Sequence, residues 1–387
     1  MNIEIFCALR SHVTVNIYIE YNVEVTYIRS DIVKALILSG GSGSRLRPLT
    51  YTNAKQLLPL ANKPILFYII EKLIKSGIYD IGIIVGDTQE DVKRAVGDGS
   101  RWNASITYIH QSSPLGLAHA VKIASDFIGE DDFIMVLGDN VFSMDLDILI
   151  KNFYESKANV SILLHKVEDP SQYGVAVVEN NQIIRLVEKP KEFISDLIVT
   201  GIYIFDKSIF PVIDIIKPSP RGELEITDAI QKQIELGGKV TCETIDGWWK
   251  DTGKLQDMLE ANRLILDGME NEYQAIQAVN SFCTGKVWTG KNVIIKDSKI
   301  IGPVIIADDS IITNSYIGPY TSIEKSVIIN ACEVDNCILL ENARLDNIDK
   351  RISGSLIGKN VQIIAAAERP LSNTFLIGDN SEIYLLY

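Results

Sequence analysis

A transmembrane helix needs about 18 consecutive apolar residues, and no uninterrupted apolar run in this sequence approaches that length, so no membrane span is predicted. The five cysteines are scattered and form no C-x-x-C pair, which supports neither a disulfide framework nor a zinc site. Cys332 and Cys337 are expected to fill core positions as small hydrophobic residues. A net charge of −13 argues against a non-specific nucleic-acid binder. We therefore expect a soluble, cytoplasmic protein that binds neither membranes nor nucleic acid.

Two widespread nucleotide-binding patterns are also absent from the glycine-rich segment at residues 40–55, which reads GGSGSRLRPLTYTNAK. The segment lacks the G-x-x-x-x-G-K-[ST] spacing of a P-loop, and Leu46 stands where the pattern G-x-G-x-x-G needs its third glycine. The sequence therefore supports neither a P-loop ATPase nor a dinucleotide-binding protein.

The same segment does carry the features of a polyphosphate site. It follows an apolar run at residues 33–38 that is typical of a buried strand. Glycines let backbone N–H groups approach a ligand and form an anion-binding concavity. The glycines here are Gly40, Gly41 and Gly43. Because Arg45 and Lys55 add two positive charges, the stretch predicts a nucleoside triphosphate site. The glycines alone also fit an ordinary tight strand-to-helix turn.

The whole string G-G-x-G-x-R-L-x-P-x-T…K resembles the signature of the sugar-phosphate nucleotidyltransferases. Further motifs in matching order extend the resemblance over about residues 33–255, and the string R-G-E-L-E-I-T-D at residues 221–228 is similar to that of glucose-1-phosphate thymidylyltransferases. The resemblance implies nucleotidyl transfer from dTTP to α-D-glucose 1-phosphate, assisted by Mg²⁺, with release of pyrophosphate. It also implies nucleotide contacts by Leu38, the three glycines, Arg45 and Lys55, with Arg45 stabilising the leaving pyrophosphate.

Strand-like and helix-like segments alternate between residue 33 and about residue 250. Strands are predicted at 81–85, 105–110 and 133–137, and helices at 65–76, 117–127 and 252–267. This alternation predicts an α/β fold with a Rossmann-like, mostly parallel sheet and helices on both faces. Ligands in such folds lie beyond the carboxyl ends of the strands, where the motifs also fall.

The pattern changes after about residue 285. Apolar residues recur at intervals of about six, at Ile311, Ile317, Ile323, Ile329, Val334 and Leu340. A hexapeptide period predicts a short parallel β-helix with one strand per face, while a small antiparallel β domain is the alternative. The resemblance is to the left-handed β-helix that follows the catalytic domain in long-form relatives. All four histidines precede this region, so a second, acetyl-transferring site with a histidine base is not expected there.

Two further motifs supply candidate contacts to the base and to a metal ion. Gln111 and Gly116 lie in a loop between a strand and a helix. The resemblance implies that this loop recognises the pyrimidine, whose imide edge matches an amide that donates and accepts together. Alone, the loop could be an ordinary turn. Asp139 follows the strand at 133–137 and is a candidate Mg²⁺ ligand. The segment at 249–253, WKDTG, resembles the family's W-x-D-T-G string and implies Asp251 as its partner, although Asp251 also fits a helix N-cap.

The resemblance assigns the sugar phosphate to Tyr173 and Gly174 together with Glu188 and Lys189. A carboxylate accepts hydrogen bonds from hydroxyl groups and an ammonium group suits a phosphate monoester. Glu-Lys pairs are also common on surfaces. Arg221 is a candidate second contact to the sugar phosphate. The catalytic groups that the resemblance implies are Arg45, Lys55, Asp139 and Lys189.

The chain divides into four predicted parts: an extension at 1–32, a nucleotidyltransferase domain at 33–268, a left-handed β-helix at 285–362 and a tail at 363–387. We favour a translation start at Val33 over a genuine extension that adds an edge strand. A homo-oligomer is expected, because a β-helix of few coils has ends that a neighbour could cover.

Two alternatives to this function stay open. UTP could replace dTTP, since the bases differ by one methyl group and a pocket discriminates such a difference by only about 1–3 kcal/mol. A non-catalytic regulatory protein is the other alternative. The presence of the phosphate-binding and carboxylate residues argues against it; these are Arg45, Lys55, Asp139 and Asp251.

Overall fold

The computed structural model describes residues 34–41, 43–270, 278–365 and 383. The expectations for residues 1–32, for a start at Val33 and for most of the tail lie outside these residues. Within them, a sheet flanked by helices is followed by a stack of short strands. No helix in this part of the chain is long and apolar enough to cross a membrane.

The first part of the structure contains the main sheet and all the labelled helices. Its strands are β1 Lys34–Leu38, β2 Asp80–Val85, β3 Ser105–His110, β4 Phe133–Leu137, β5 Asn140–Phe142, β6 Val160–Lys166, β7 Gly174–Glu179, β8 Gln182–Glu188, β9 Leu197–Phe205, β10 Val240–Thr244 and β11 Trp249–Asp251. Its helices are α1 Ile65–Lys75, α2 Gln89–Val96, α3 Leu117–Ile123, α4 Ser125–Ile128, α5 Asp147–Ser156, α6 Ile209–Ile215, α7 Ile226–Glu235 and α8 Leu255–Gly268. Single 3-10 turns lie at Ser44–Leu46, Leu49–Tyr51, Lys55–Leu57 and Ser100–Trp102, and Pro59–Leu60 forms a hairpin with Lys63–Pro64.

Nine of these strands form one sheet in the order β3-β2-β1-β4-β9-β6-β10-β8-β7. The first four pair in parallel, and of the nine only β8 and β9 run against the rest. Strand β1 is apolar after Lys34 because both faces of the sheet are covered: Ala35 and Ile37 pack into one core, and Leu36 and Leu38 into the other. The predicted α/β fold with a mostly parallel sheet is confirmed.

All three predicted helices have different bounds in the structure. The helix predicted at 65–76 ends one residue earlier, at Lys75. The helix predicted at 117–127 is interrupted at Ala124, which separates α3 from α4. The helix predicted from residue 252 begins only at Leu255. Thr252 is not helical because its backbone N–H and its hydroxyl both donate to the carbonyl oxygen of Asp139, at 3.1 and 2.8 Å.

The second part of the structure is a parallel β-helix. Its strands are Ala278–Val279, Phe282–Thr284, Val287–Thr289, Ile294–Lys296, Lys299–Ile301, Val304–Ile306, Ile311–Thr313, Tyr316–Ile317, Thr321–Ile323, Ile328–Asp335, Ile338–Leu339, Arg344–Ser353, Leu356–Ile357 and Gln362–Ile364. The first coils stack residues 17 apart, as the Asn292–Asp309 hydrogen bond illustrates, and later coils stack residues 16 or 18 apart, as in the pairs Ser322–Ile338 and Ile338–Leu356. All of the strand pairs described here are parallel, which excludes the antiparallel alternative for these residues.

The interior of the β-helix is filled as the six-residue spacing predicts, with two exceptions, Ile311 and Leu340. Leu340 is buried, but it lies in an apolar cluster shared with the first part of the structure. Ile317, Ile323 and Ile329 are fully buried, as is Val334. Ile311, however, stacks between Ile294 and Ile328 on an outward-facing row, and its neighbour Ile312 fills the core instead. Cys332 and Cys337 are buried in the same core.

Candidate active site

The carboxyl ends of the parallel strands bring the predicted motifs together. The chain leaves β1 at Leu38, β3 at His110 and β4 at Leu137. Backbone hydrogen bonds continue just beyond these ends: Ser39 N–H donates to Ile84, Gly138 N–H to Leu38 and Gln111 N–H to Val85. The glycine-rich turn, the Gln111 loop and Asp139 therefore start from one edge of the sheet.

The glycine-rich turn has little room for side chains. A Cβ atom at Gly40 would lie 3.4 Å from Gln111 Oε1. Gly43 has a left-handed φ of 61°, and a Cβ there would lie 2.9 Å from Thr50 Cγ2. Thr50 Oγ1 fixes this turn by donating to the Gly43 carbonyl at 2.8 Å. The absence of side chains leaves the backbone of Gly40 and Gly41 open to a ligand beside Gln111.

Lys55, Asp139 and Asp251 form a partly buried charge cluster. Lys55 Nζ lies 2.5 Å from Asp139 Oδ2 and 3.4 Å from Asp251 Oδ1, and the lysine side chain is only 6% exposed. Strand β11 pairs with β5 so that Asp251 lies opposite Asn140, which brings the two carboxylates to one place. Burial and then the neighbouring Asp139 raise the pKa of Asp251, against the opposing effect of Lys55 and Arg45.

Arg45 reaches the same cluster from the solvent side. Its Nη2 atom lies 3.8 Å from Asp251 Oδ2, and its side chain is 60% exposed. A Cβ at Gly253 would lie 2.8 Å from that Nη2 atom, so this glycine makes space for the guanidinium group. Lys55 and Arg45 together give the carboxylates a positive border that a polyphosphate would contact.

The two carboxylates suit Mg²⁺, which needs few protein ligands, better than a metal ion whose ligands all come from the protein. The described residues contain no group of three or more His, Cys, Asp or Glu side chains that could hold a metal. Mg²⁺ commonly takes one or two carboxylates and completes its shell with water and substrate phosphates. A cation at Asp139 and Asp251 would also relieve the like-charge repulsion that raises the pKa of Asp251.

Gln111 is held in place by its own loop. Its Nε2 atom donates to the Gly116 carbonyl at 3.3 Å and lies 3.0 Å from His119 Nδ1. Gly116 is required for a reason that the sequence did not reveal: at φ 105° a Cβ would lie 2.7 Å from the Leu224 nitrogen and closer still to the Leu224 carbonyl. The loop is thus clamped to the segment that carries Arg221.

Where β7 begins and the neighbouring β8 ends, the structure brings together Tyr173, Gly174, Glu188 and Lys189. Gly174 pairs with Glu188, and Lys189 N–H donates to the Tyr173 carbonyl at 3.0 Å. Burial and then the negative charge of Glu225 raise the pKa of Glu188. Burial and then Asp251 raise the pKa of Tyr173, so this group adjoins the charge cluster. The arrangement joins a carboxylate, an ammonium group and a phenol, and the Tyr173 ring lies 5.9 Å from the ring of Trp249, two residues before Asp251.

Arg221 is already neutralised by carboxylates. Its Nη2 atom lies 2.8 Å from Glu225 Oε1 and 3.4 Å from Glu188 Oε1, with Glu223 at 3.7 Å. Glu225 is buried at the start of α7, where Ser219 also donates to it. A phosphate would therefore compete with these carboxylates for Arg221.

Sequence reasoning missed three residues beside the site. Gln56 is buried next to Gly41 and Gly138, and its Oε1 atom has no protein partner within the described ranges. Asn140 and Trp249 both donate to the Thr200 carbonyl and hold the β5–β11 pair against β9. Gln56 follows Lys55 directly and Asn140 follows Asp139, so adjacency to strong motifs was the available signal.

Comparisons with known proteins show which family the chain is similar to. A family profile described as nucleotidyl transferase matches residues 34–268. A glucose-1-phosphate thymidylyltransferase of Streptomyces griseus is 44% identical over 350 residues, which cover 90% of this chain and 98% of that protein. A bifunctional protein GlmU of Methanocaldococcus jannaschii is 35% identical over 84% of this chain and 78% of its own length.

Two solved structures resemble the first part of the fold. One is a Bacillus anthracis protein assigned as a glucose-1-phosphate thymidylyltransferase, in complex with sucrose, with 39% identity and a TM-score of 0.58. It matches 62% of this chain and 98% of its own. The other is a UDP-glucose pyrophosphorylase complexed with UDP-glucose, with 25% identity and a TM-score of 0.56 over 62% of this chain and 100% of its own.

Proposed function

Because the chain belongs to the nucleotidyl transferase family, we propose that it transfers a thymidylyl group from dTTP to α-D-glucose 1-phosphate, giving dTDP-glucose and pyrophosphate. The observation that carries the proposal is the cluster of Lys55, Asp139 and Asp251 beside the glycine-rich turn. The substrates follow the names of the Streptomyces relatives, which match nearly the whole chain.

In this proposal the reaction is one in-line displacement at the α-phosphorus of the nucleotide. A phosphate oxygen of the sugar phosphate forms a new bond to that phosphorus, and the bond to the oxygen that leads to the β-phosphate breaks. Both electrons of the broken bond leave with pyrophosphate. No covalent enzyme intermediate is needed, so catalysis consists of positioning and charge stabilisation.

Each side chain has one role in this mechanism. Arg45 stabilises the negative charge that grows on the leaving pyrophosphate, and Lys55 supports the phosphates. Lys189 holds the attacking sugar phosphate and Glu188 accepts hydrogen bonds from sugar hydroxyls. Asp139 and Asp251 hold Mg²⁺, which when bound neutralises charge on the phosphates. Gln111 binds the pyrimidine edge, with Gly40 and Gly41 beneath it.

Pyrophosphate release from each pair of nucleotide and sugar phosphate tests the proposal. We expect release from dTTP and glucose 1-phosphate, dependent on Mg²⁺. A clear preference for UTP would make the protein a uridylyltransferase on the same site, in line with the UDP-glucose pyrophosphorylase neighbour. Absence of release from every pair, with a folded protein, would favour the non-catalytic alternative.

A further inference from the structure

The turn that carries Arg45 packs against the β-helix. Leu46, the next residue, is 4% exposed and shares an apolar cluster with Ile338 and Leu340 of the β-helix. Leu49 lies against the β-helix turn at Gly358, where a Cβ atom would be 3.3 Å from Leu49 Cδ2. Leu49 of the nucleotide turn therefore contacts the second domain, and Leu46 shares an apolar cluster with it.

Leu49 is coupled to the glycine-rich turn through its neighbour. Thr50 Oγ1 donates to the Gly43 carbonyl at 2.8 Å, and the left-handed turn at Gly43 is packed against the Thr50 methyl group. A continuous series of contacts thus runs from Gly358 through Leu49 and Thr50 to Gly43. Movement of the 3-10 turn Leu49–Tyr51 would move the backbone on which a polyphosphate binds.

The Arg45 side chain has little else to fix its position. It is 60% exposed, and the ion pair that the structure gives it, to Asp251, is 3.8 Å long. So weak a contact does little to restrict the rotamers of an exposed arginine. They are restricted mainly by the position of its own backbone and by the ligand that it binds. The position of the guanidinium group therefore depends on the turn beneath it.

Hydrogen bonds fix how the two domains meet. Asn262 of α8 is fully buried; its Oδ1 atom accepts from Ala61 N–H at 2.8 Å and from Ser322 Oγ at 2.7 Å, and its Nδ2 atom donates to Tyr320 O at 3.2 Å. Asn62 Nδ2 donates to Ile323 O at 2.7 Å. Breaking such a buried network would leave polar groups unpaired. The hydrogen bonds therefore hold the two domains in one relative position, whereas apolar contact alone would let the domains slide past each other.

We propose that the β-helix positions the nucleotide-binding turn, with Leu340 acting through the apolar cluster that it shares with Leu46, and Gly358 acting through Leu49. Leu340 and Gly358 are then positioning residues. They influence where Arg45 lies and take no part in the chemistry themselves. The role given to Arg45 rests on the proposed function, whereas the packing does not. The second domain is in this account a part of the active-site architecture and not only an assembly element.

The pair Leu340→Ala and Leu345→Ala tests the proposal with a built-in control. Both leucines are fully buried and lie five positions apart, but Leu340 belongs to the cluster shared with the nucleotide turn and Leu345 to the β-helix core. We expect similar losses of Tm. Only Leu340→Ala should lower kcat/KM for the nucleotide, by about 10- to 100-fold, and speed amide exchange at residues 43–51. Equal effects of the two variants on kinetics and exchange would overturn the proposal.

Two further variants keep the test decisive. If Leu340→Ala does not fold, Leu49→Ala removes the contact with Gly358 from a half-buried position and should give the same exchange pattern. In an Arg45→Ala background, either substitution should cost little more activity; full additivity would contradict an action through Arg45. Amide exchange needs no turnover, so an inactive wild type with the expected exchange difference would count against the proposed function alone.

Discussion

Lys55 and its two carboxylates carry most of the chemistry at the scale of single residues. The lysine is nearly buried and bonds both Asp139 and Asp251. Asp139 was predictable because it follows a buried strand in a sequence that also carries a phosphate-binding turn. The β5–β11 pairing that brings Asp251 to it spans over a hundred residues, and only the resemblance, not local pattern, pointed to that partner.

Asp139→Asn and Asp251→Asn should each lower turnover by about 10²-fold or more, since each removes a hard anionic ligand from a reaction that depends on charge neutralisation. Pyrophosphate release over a Mg²⁺ titration measures the effect. Asp246→Asn, an exposed carboxylate five residues before Asp251, serves as the control and should be unchanged. Near-normal turnover of both site variants at saturating Mg²⁺ would refute the metal assignment.

The same two substitutions should have different effects on stability without metal or nucleotide. Burial and Asp139 raise the pKa of Asp251, so the folded state binds the proton more tightly and ionised Asp251 destabilises the fold at pH 7. Asp251→Asn should therefore match or exceed the wild-type Tm, with the gain shrinking as pH falls toward the unfolded pKa. Asp139→Asn should lower Tm, because buried Lys55 loses its 2.5 Å partner.

Thermal melts in EDTA between pH 4 and pH 8 distinguish these outcomes. A gain for Asp251→Asn that grows toward low pH would contradict the sign of the argument. Equal losses of Tm in the two variants would mean that both carboxylates stabilise the buried Lys55 equally.

Arg45→Ala should lower kcat more than it raises KM for the sugar phosphate, because its charge lies where the leaving pyrophosphate becomes negative. Lys189→Ala should mainly raise KM for glucose 1-phosphate, since its ammonium group binds the substrate before and during the reaction alike. Steady-state kinetics with each substrate varied in turn separates the two patterns. If the patterns were exchanged, the division of roles would be wrong.

At the scale of elements, the bounds of strands were predicted better than the ends of helices or the side chains that face the core. The segments at 105–110 and 133–137 are strands with those bounds. The second is a short apolar run buried on both faces, whereas the first is a half-exposed strand at the edge of the sheet. The start of α8 depends on Thr252 bonding Asp139, a contact between distant segments. Ile311 and Ile312 are both apolar, so sequence could not decide which one faces the core of the β-helix.

Gly116→Ala should destabilise the loop that holds Gln111. Its φ of 105° is essentially restricted to glycine, and the new Cβ would overlap the Leu224 backbone, so we expect a loss of more than about 2 kcal/mol and a raised KM for the nucleotide. Gly129→Ala is the matched control: φ is also positive, but nothing lies within 4 Å. Its φ of 66° and ψ of −125° also favour glycine, so this variant should lose stability through backbone strain alone, less than Gly116→Ala does, and leave KM unchanged.

Denaturant unfolding and nucleotide kinetics on both variants measure this difference. If the two glycine variants lose equal stability and both keep the wild-type KM, the clamp between Gly116 and Leu224 has no part in positioning Gln111.

At the scale of the whole molecule, the two domains are tied together by a buried asparagine and a shared apolar cluster. Sequence periodicity predicted the β-helix but not its contact with the nucleotide turn, because Leu46 and Leu340 lie about three hundred positions apart and carry no local signature of each other. The homo-oligomer and the four-part division of the chain stay predictions.

Pyrophosphate release is the measurement that tests the central claim most directly. Purified full-length protein is given dTTP or UTP with glucose 1-phosphate, in Mg²⁺ or in EDTA, and both pyrophosphate and the nucleotide sugar are quantified. The account predicts equal amounts of pyrophosphate and dTDP-glucose with Mg²⁺, and neither product in EDTA. Pyrophosphate without a nucleotide sugar, or equal rates in EDTA, would contradict a metal-assisted transfer to the sugar phosphate at Lys55, Asp139 and Asp251.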